Sequence, residues 1–365
     1  MEIIHIVLGK ANPDRLNGVN KVVYNLATEQ TKAGKKVQVW GISSDTHHNY
    51  PERNFTTVLF QAQVPSYRVN RALKAAIIEH KNAVFHLHGG WIPLFSGLAH
   101  LFTRHRVTFV LTPHGAYNTV AMQRSFWKKK LYFYLFEKTL LQRAHKIHAI
   151  GNSEVTGLNA LFPNRKSVLL PYGFDGTPET TVSAKNAAFT VGFVGRLDIH
   201  TKGLDLLVEA FARFQHTHSD AQLWIVGDGP GKTQVEQFIL AKNVRHATLW
   251  GKKFGREKDE LMAQMHVFAH PSRNEGLPTA VLEAAAMGVP AIVTHATNIA
   301  EYIKQFGAGV AIPDNHVIEL EMALRLVYAK YLKNEAHTYT EGSRQMLKEV
   351  FAWPTLVHQY DQLYQ

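Results

Sequence analysis

Val191-Gly192-Phe193-Val194-Gly195-Arg196-Leu197-Asp198-Ile199-His200-Thr201-Lys202-Gly203-Leu204 passes from a short apolar run, through a glycine and a cationic loop, into a helical pattern. A run of this length and β-rich composition reads as a buried strand, and Lys202-Gly203 opens a helix over 203–215. The same grammar continues outward. Downstream, strands are expected at 222–226, 248–250, 267–269, 291–294 and 310–312, and helices at 233–241, 278–287, 299–306 and 316–331. Upstream, strands are expected at 3–8, 37–42, 84–88, 107–112, 147–150 and 168–170, with helices at 19–33, 69–80, 123–143 and 153–161. Strand–helix alternation of this kind specifies parallel sheets covered by helices on both faces. The stretch 171–188, rich in Gly, Pro and small polar residues, divides two such series. The fold class is therefore α/β: two Rossmann-like, doubly wound domains facing each other across a cleft, with ligands beyond the carboxyl ends of the strands. The expected boundaries are 1–172, a linker at 173–188, and 189–350.

Composition narrows the function classes. With 365 residues, 45% hydrophobic and 19% charged, the chain buries sizeable cores and is not disordered. It has no cysteine, which excludes disulfides, thiolate metal sites and a cysteine nucleophile. The run at 3–8 follows an acid at position 2 and reads as a strand rather than a signal peptide. No stretch approaches the ~18 consecutive apolar residues of a membrane span, so a cytoplasmic protein, peripheral at the inner face of a membrane, is expected. The formal charge of +11 is unevenly spread. Residues 1–172 hold 22 Lys+Arg and 8 Asp+Glu (+14), leaving 18 and 21 (−3) for the rest. Part of the excess lies in Arg124, Lys128, Lys129 and Lys130, beside Trp127 and further aromatics. A cationic turn next to aromatics suits a helix at an anionic membrane surface. Nucleic acid is not expected, because the aromatics cluster with aliphatics instead of being spaced for base stacking.

Three stretches carry chemistry. In the first, Arg196 offers a planar fork and Lys202 a point charge around one loop, a pairing suited to a diphosphate. No Asp-x-Asp occurs, and no metal site is expected; two fixed cations can neutralise the diphosphate instead. In the second, Pro271 through Pro290, Pro278 fits the first helical position. The amides of Gly276, Leu277 and Thr279 then stand at a helix N-terminus, which favours an anion or sugar hydroxyls. Glu275 precedes that helix, and Glu283 lies inside it among Leu, Ala and Met, where an acid needs partners. The third, Gly227-Asp228-Gly229-Pro230-Gly231, is a strand-to-helix turn. Taken singly, each is also compatible with tight turns, caps and solvated charges. In the first lobe, His114 follows a strand and precedes Gly115; His86 and His88 share one sheet face, with no third ligand suggested by the sequence.

In combination, Gly195-Arg196 with Lys202-Gly203, then Val226-Gly227-Asp228-Gly229-Pro230, then Glu275-Gly276 with Glu283-Ala284 and Gly288-Val289-Pro290, resemble the GT-B retaining glycosyltransferases of glycosyltransferase family 4. The resemblance covers the second lobe closely and the first more loosely, and Phe351-Ala352-Trp353 with Tyr360 resembles the family's closing helix (351–365), which returns to the first lobe. It implies that Arg196 and Lys202 bind the donor diphosphate at Gly195 and Gly227, and that Glu283 takes the ribose hydroxyls. Glu275, with Asn274, Gly276, Leu277, Pro278 and Thr279, holds the donor sugar, and the base sits near Lys253 and Phe254. His114 contacts the transferred sugar through its ring or its backbone carbonyl. Asn17-Gly18 stands where the family usually has Gly-Gly. The implied activity is transfer of a hexose, with retention, from a UDP-sugar to a glycan or lipid-linked saccharide in surface polysaccharide synthesis, without an added cofactor. GDP- and ADP-sugars remain open. The alternatives are a GT-B sugar-nucleotide epimerase and a non-catalytic basic binding module.

Overall fold

The computed structural model describes residues 1–13, 18–50, 52–119, 122, 125–176, 185–313 and 315–365. The chain forms two compact units, Met1–Gly173 with Trp353–Gln365, and Phe174–Ala352. In the first unit the described strands are β1 (Glu2–Leu8), β2 (Lys36–Ser43), β3 (Thr56–Gln61), β4 (Val84–His88), β5 (Phe109–Thr112), β6 (Lys146–Ala149) and β7 (Ser167–Leu169). They pair in the order β3-β2-β1-β4-β5-β6-β7, every pair parallel. In the second unit β8 (Thr190–Val194), β9 (Gln222–Val226), β10 (Ala247–Gly251), β11 (Val267–His270), β12 (Ala291–Thr294) and β13 (Gly309–Ile312) pair as β10-β9-β8-β11-β12-β13, again all parallel. Both are doubly wound sheets, and their order reverses between β1 and β4 and between β8 and β11, where such folds open a ligand crevice. β3 was not expected; it is an edge strand with only Phe60 buried, so it lacks the apolar run that marks a central strand.

Central strands β8 and β12 are buried along their whole length by helices on both faces. Fully burying a side chain such as Phe193 or Phe211 stabilises by about 2–3 kcal/mol. In the first unit one sheet face is covered by the returning C-terminal segment. Trp353, Leu356, Tyr360, Leu363 and Tyr364 pack on Ile3, Val84, Val110 and Leu170. This segment is not one helix: Trp353–Gln359 and Asp361–Tyr364 are separate helices, and a π turn, Leu347–Phe351, precedes them. A Cβ on Gly173 would stand 2.2 Å from the Trp353 ring, so the chain's exit from this unit depends on a bare backbone.

Candidate active site

The second unit gathers its chemistry at the β8/β11 reversal. Beyond β8, Asp198 caps the short helix Ile199–Lys202 by accepting the Thr201 amide at 3.0 Å. Gly203 follows at φ +66°, and a Cβ there would lie 2.0 Å from the Pro271 carbonyl oxygen, so this loop can press against the exit of β11 only as glycine. Two further contacts close the gap: Ser272 Oγ donates to the Thr201 carbonyl at 2.7 Å, and Arg273 forms a two-pronged pair with Asp205 at 2.7 Å. The outcome is that Lys202 Nζ meets Glu275 Oε2 at 2.5 Å, with the two side chains only 15% and 21% exposed. Arg196 is mostly exposed, 3.5 Å from Asp198.

Gly195 and Gly227 serve each other. A Cβ on Gly227 would be 1.8 Å from the Gly195 carbonyl, and Leu197 exchanges backbone bonds with Asp228 and Gly231. The glycine turn therefore braces the Arg196 loop. Pro278 stands at the N-cap rather than at the first helical position: its ψ of 104° is extended, and the helix is Thr279–Ala286. Within this turn the Ser272 hydroxyl also donates to the Asn274 carbonyl, the Gly276 carbonyl accepts the Asn298 amide, Leu277 is buried and Thr279 exposed.

Glu283 has a partner that the motifs do not reveal. Lys258, on the helix Gly255–Ala263, reaches Glu283 Oε2 at 2.7 Å and Asp259 at 3.3 Å. Burial works against the Lys258 ammonium, but the Glu283 and Asp259 carboxylates outweigh it and hold its pKa above the ordinary lysine value. The same helix begins after Phe254, which is exposed under the Lys252 ammonium, while Lys253 pairs at 3.4 Å with Glu257. The helix that carries the partner of Glu283 thus follows directly on Lys253 and Phe254.

In the first unit Gly18 opens the helix Gly18–Lys32 and is exposed. Asn17 and Arg124 lie outside the described residues. His114, at φ +58°, has both ring nitrogens engaged, one by His88 at 3.0 Å and the other by the Tyr172 hydroxyl, so its backbone is what remains for a sugar. It ends a buried network. His5 bonds His88 at 2.9 Å and Gln30 at 2.7 Å; His86 bonds Tyr364 at 3.0 Å and Thr112 at 2.5 Å; Thr112 bonds His148 at 2.8 Å. His5 is the third histidine beside His86 and His88, placed there by the parallel register of β1 and β4. Burial lowers His5 and His148 to about 4; burial, then neighbouring His148, lowers His114 to about 3. All three are neutral at pH 7. Beneath the turn after His114, buried Glu154 faces the amides of Gly115, Ala116 and Tyr117; burial raises its pKa to about 7 against those hydrogen bonds. Tyr117 donates to buried Glu137, which burial also raises to about 7.

The helical stretch Phe126–Tyr132, Phe133–Glu137 (a π turn) and Lys138–Arg143 buries Phe133, Glu137, Leu140 and Leu141. Its outer side exposes Trp127 (77%), Lys128, Leu131, Tyr134 and Leu135. Lys129 and Lys130 are half-buried, their ammonium groups 5.6 Å from the Trp91 and Trp127 rings respectively.

Two family models match the chain: Glycosyl transferases group 1 over residues 181–346 and Glycosyltransferase Family 4 over residues 16–176. The gpi3 subunit of phosphatidylinositol N-acetylglucosaminyltransferase from Schizosaccharomyces pombe is 26% identical over 58% of this chain and 46% of its own length. An uncharacterized glycosyltransferase of Methanocaldococcus jannaschii is 24% identical over 69% of this chain and 66% of its own. The chain thus spans about half to two thirds of these relatives. Sucrose-phosphate synthase from Thermosynechococcus elongatus matches with a TM-score of 0.74 at 19% identity, covering 100% of this chain and 98% of that one. Anabaena HepE in complex with UDP matches at 0.72 and 14%, covering 100% and 99%. At such identities the structural likeness is one of fold, and it agrees with the two family models, which between them span most of the sequence: the chain belongs to the GT-B glycosyltransferases of family 4.

Proposed function

We propose that this chain transfers a hexose from a UDP-sugar, with retention at the anomeric carbon, to a glycan or lipid-linked saccharide acceptor in surface polysaccharide synthesis. The observation that carries the reading is the contact of Lys202 with Glu275 at the β8/β11 reversal. A cation and an acid from two different loops stand at the place where a doubly wound sheet binds its ligand. A diphosphate arriving there competes with Glu275 for Lys202, and the freed carboxylate can accept sugar hydroxyls. As the glycosidic bond breaks, negative charge grows on the leaving diphosphate. Lys202 and the exposed, adaptable Arg196 therefore stabilise the transition state more than the bound donor. The departing phosphate oxygen takes the acceptor's proton on the same face, which gives retention without a separate base. Glu283, oriented by Lys258, accepts the ribose hydroxyls, and the backbone of His114 addresses the transferred sugar.

UDP is favoured because a solved neighbour holds it; the α-mannosyltransferase relative from Corynebacterium glutamicum is named for GDP-mannose, so the test compares bases. Thermal melting with UDP-, GDP- and ADP-sugars should show the largest upward shift with UDP. Lys202→Ala should lower kcat about 10²–10³-fold while melting is retained. No shift with any nucleotide, or near-normal turnover in Lys202→Ala, would sink the assignment.

No helix among the described residues is long and apolar enough to cross a membrane. The exposed Trp127, Leu131, Tyr134 and Leu135, flanked by Lys128 and Lys138, support reversible seating on an anionic membrane from the cytoplasmic side, where a lipid-linked acceptor would lie.

A further inference from the structure

The first unit contains a pocket of about 440 Å³ at the carboxyl edge of its sheet, within the ~300–1,000 Å³ typical of small-ligand sites. Leu8 ends β1, Ile42 lies near the end of β2, and Trp91 and Leu94 follow β4. The pocket therefore sits beside the β1/β4 reversal, the counterpart of the place where the second unit gathers its charged residues. Its lining is mainly apolar, and among its lining residues Gln61, Gln63, Ser66 and Arg68 are exposed to solvent.

Two features say what fits. Trp91 is a rigid platform. Its backbone is held at φ +61°, costly for an aromatic residue and the kind of strain that collects at functional sites. Its ring packs edge-on against Tyr117 and Tyr132, and its Nε1 donates to the Ala116 carbonyl at 3.1 Å, in the turn that follows His114. Secondly, the Arg68 guanidinium has no carboxylate partner among the described residues, although it borders an apolar pocket in the half of the chain that carries the +14 excess. A planar fork of donors without an acid suits a phosphate or a carboxylate on a ligand.

We propose that this pocket seats the acceptor, and that the acceptor's terminal unit is a pyranose bearing an anionic group. The apolar ring face lies on Trp91 and Leu8, the hydroxyls meet the rim amides, and the acid pairs with Arg68. The proposal rests on the sugar-transfer reading and adds the acceptor's chemical class and the residues that select it.

The test is saturation-transfer NMR on the full chain with methyl glucoside, glucose 1-phosphate and glucuronic acid, alongside UDP melting on the same samples. Ring protons of at least one acid should receive saturation, and the stronger of the two tells phosphate from carboxylate. Arg68→Gln should weaken that acid at least tenfold and leave the neutral glycoside unchanged. Leu8→Trp, at a partly exposed position, should fill the pocket and abolish binding. Lys202→Ala should leave acid binding intact, which separates this pocket from the diphosphate loops. If UDP binds but neither acid does, or if Arg68→Gln changes nothing, the pocket assignment falls. If the acids bind as described and no nucleotide does, the pocket stands as an anionic-sugar site and the transfer reading falls.

Discussion

Acidification should destabilise the first unit, and the histidine network sets the direction of the effect. Burial is the main cause that depresses His5, His86, His88, His114 and His148, three of them to about 4, 3 and 4 and the other two well below the ordinary value. A histidine whose folded pKa lies below its unfolded value of about 6.5 lends full stability above pH 6.5, and that contribution fades as pH falls from 6.5 toward the folded pKa. Between pH 7 and 5.5 each of His5, His114 and His148 forfeits about 1 kcal/mol, and His86 and His88 act in the same direction. Glu137 and Glu154 act in the opposite sense. Their folded pKa of about 7 exceeds the unfolded one, so protonation restores about 1–2 kcal/mol each over the same interval. The three imidazoles outweigh the two acids by on the order of 1 kcal/mol at pH 5.5 and about 2 kcal/mol at pH 4.5, and His86 and His88 deepen the loss, against a total domain stability of about 5–15 kcal/mol. Urea unfolding at a series of pH values, read by pulse-labelled hydrogen exchange of β1 and β4 peptides at one labelling pH, measures the slope directly. His86→Gln should make the loss of stability with falling pH shallower. Stability that stays flat or rises from pH 7 to pH 5 would refute the reasoning.

Lys258→Met should raise the donor KM several-fold with kcat largely kept, and Lys258→Arg should restore it; a fall in kcat alone would mean that Lys258 does not act by orienting Glu283. Gly203→Ala forces a Cβ to 2.0 Å from the Pro271 carbonyl at a positive φ; it should destabilise the second unit by about 3 kcal/mol or more, visible as a lower urea midpoint. Replacing Lys128, Lys129 and Lys130 together by Gln should weaken sedimentation with anionic vesicles and leave turnover on a water-soluble acceptor unchanged. Unaltered vesicle binding would reduce the charge excess to solvated surface.

Much of the fold was legible because central parallel strands are continuous apolar runs, as in Phe193 and its neighbours or 291–294. What escaped was amphipathic or polar. β3 is half-exposed along an edge, and Gly255–Ala263 buries only Met262, so a helix of charged residues carrying Lys258 left no hydrophobic period to follow. At the candidate site, the Gly195, Lys202, Glu275 and Glu283 signatures are local in sequence and could be read. The pairing of Lys202 with Glu275 depends on two loops brought together across a sheet. His5 reads only as one residue of a buried strand until the register places it opposite His86. His114 shows the converse: a histidine before a glycine at a strand end offers its ring or its backbone carbonyl, and His88 of β4 with Tyr172 occupies both ring nitrogens.

The thirteen residues Trp353–Gln365 close a face that begins with β1. Tyr364 bonds His86 and Gln30 across most of the chain, and Tyr360 donates to the Pro171 carbonyl. Order of synthesis gives this closure a consequence. When Gly173 leaves the ribosome, the first sheet has its strands but lacks its cover, and it must wait until all of Phe174–Ala352 has been made. The second unit, contiguous in sequence, can fold during that wait. The nascent first half meanwhile presents an uncovered apolar face and a set of imidazoles without their tyrosine, which marks it as the part of this protein that most needs a chaperone's protection.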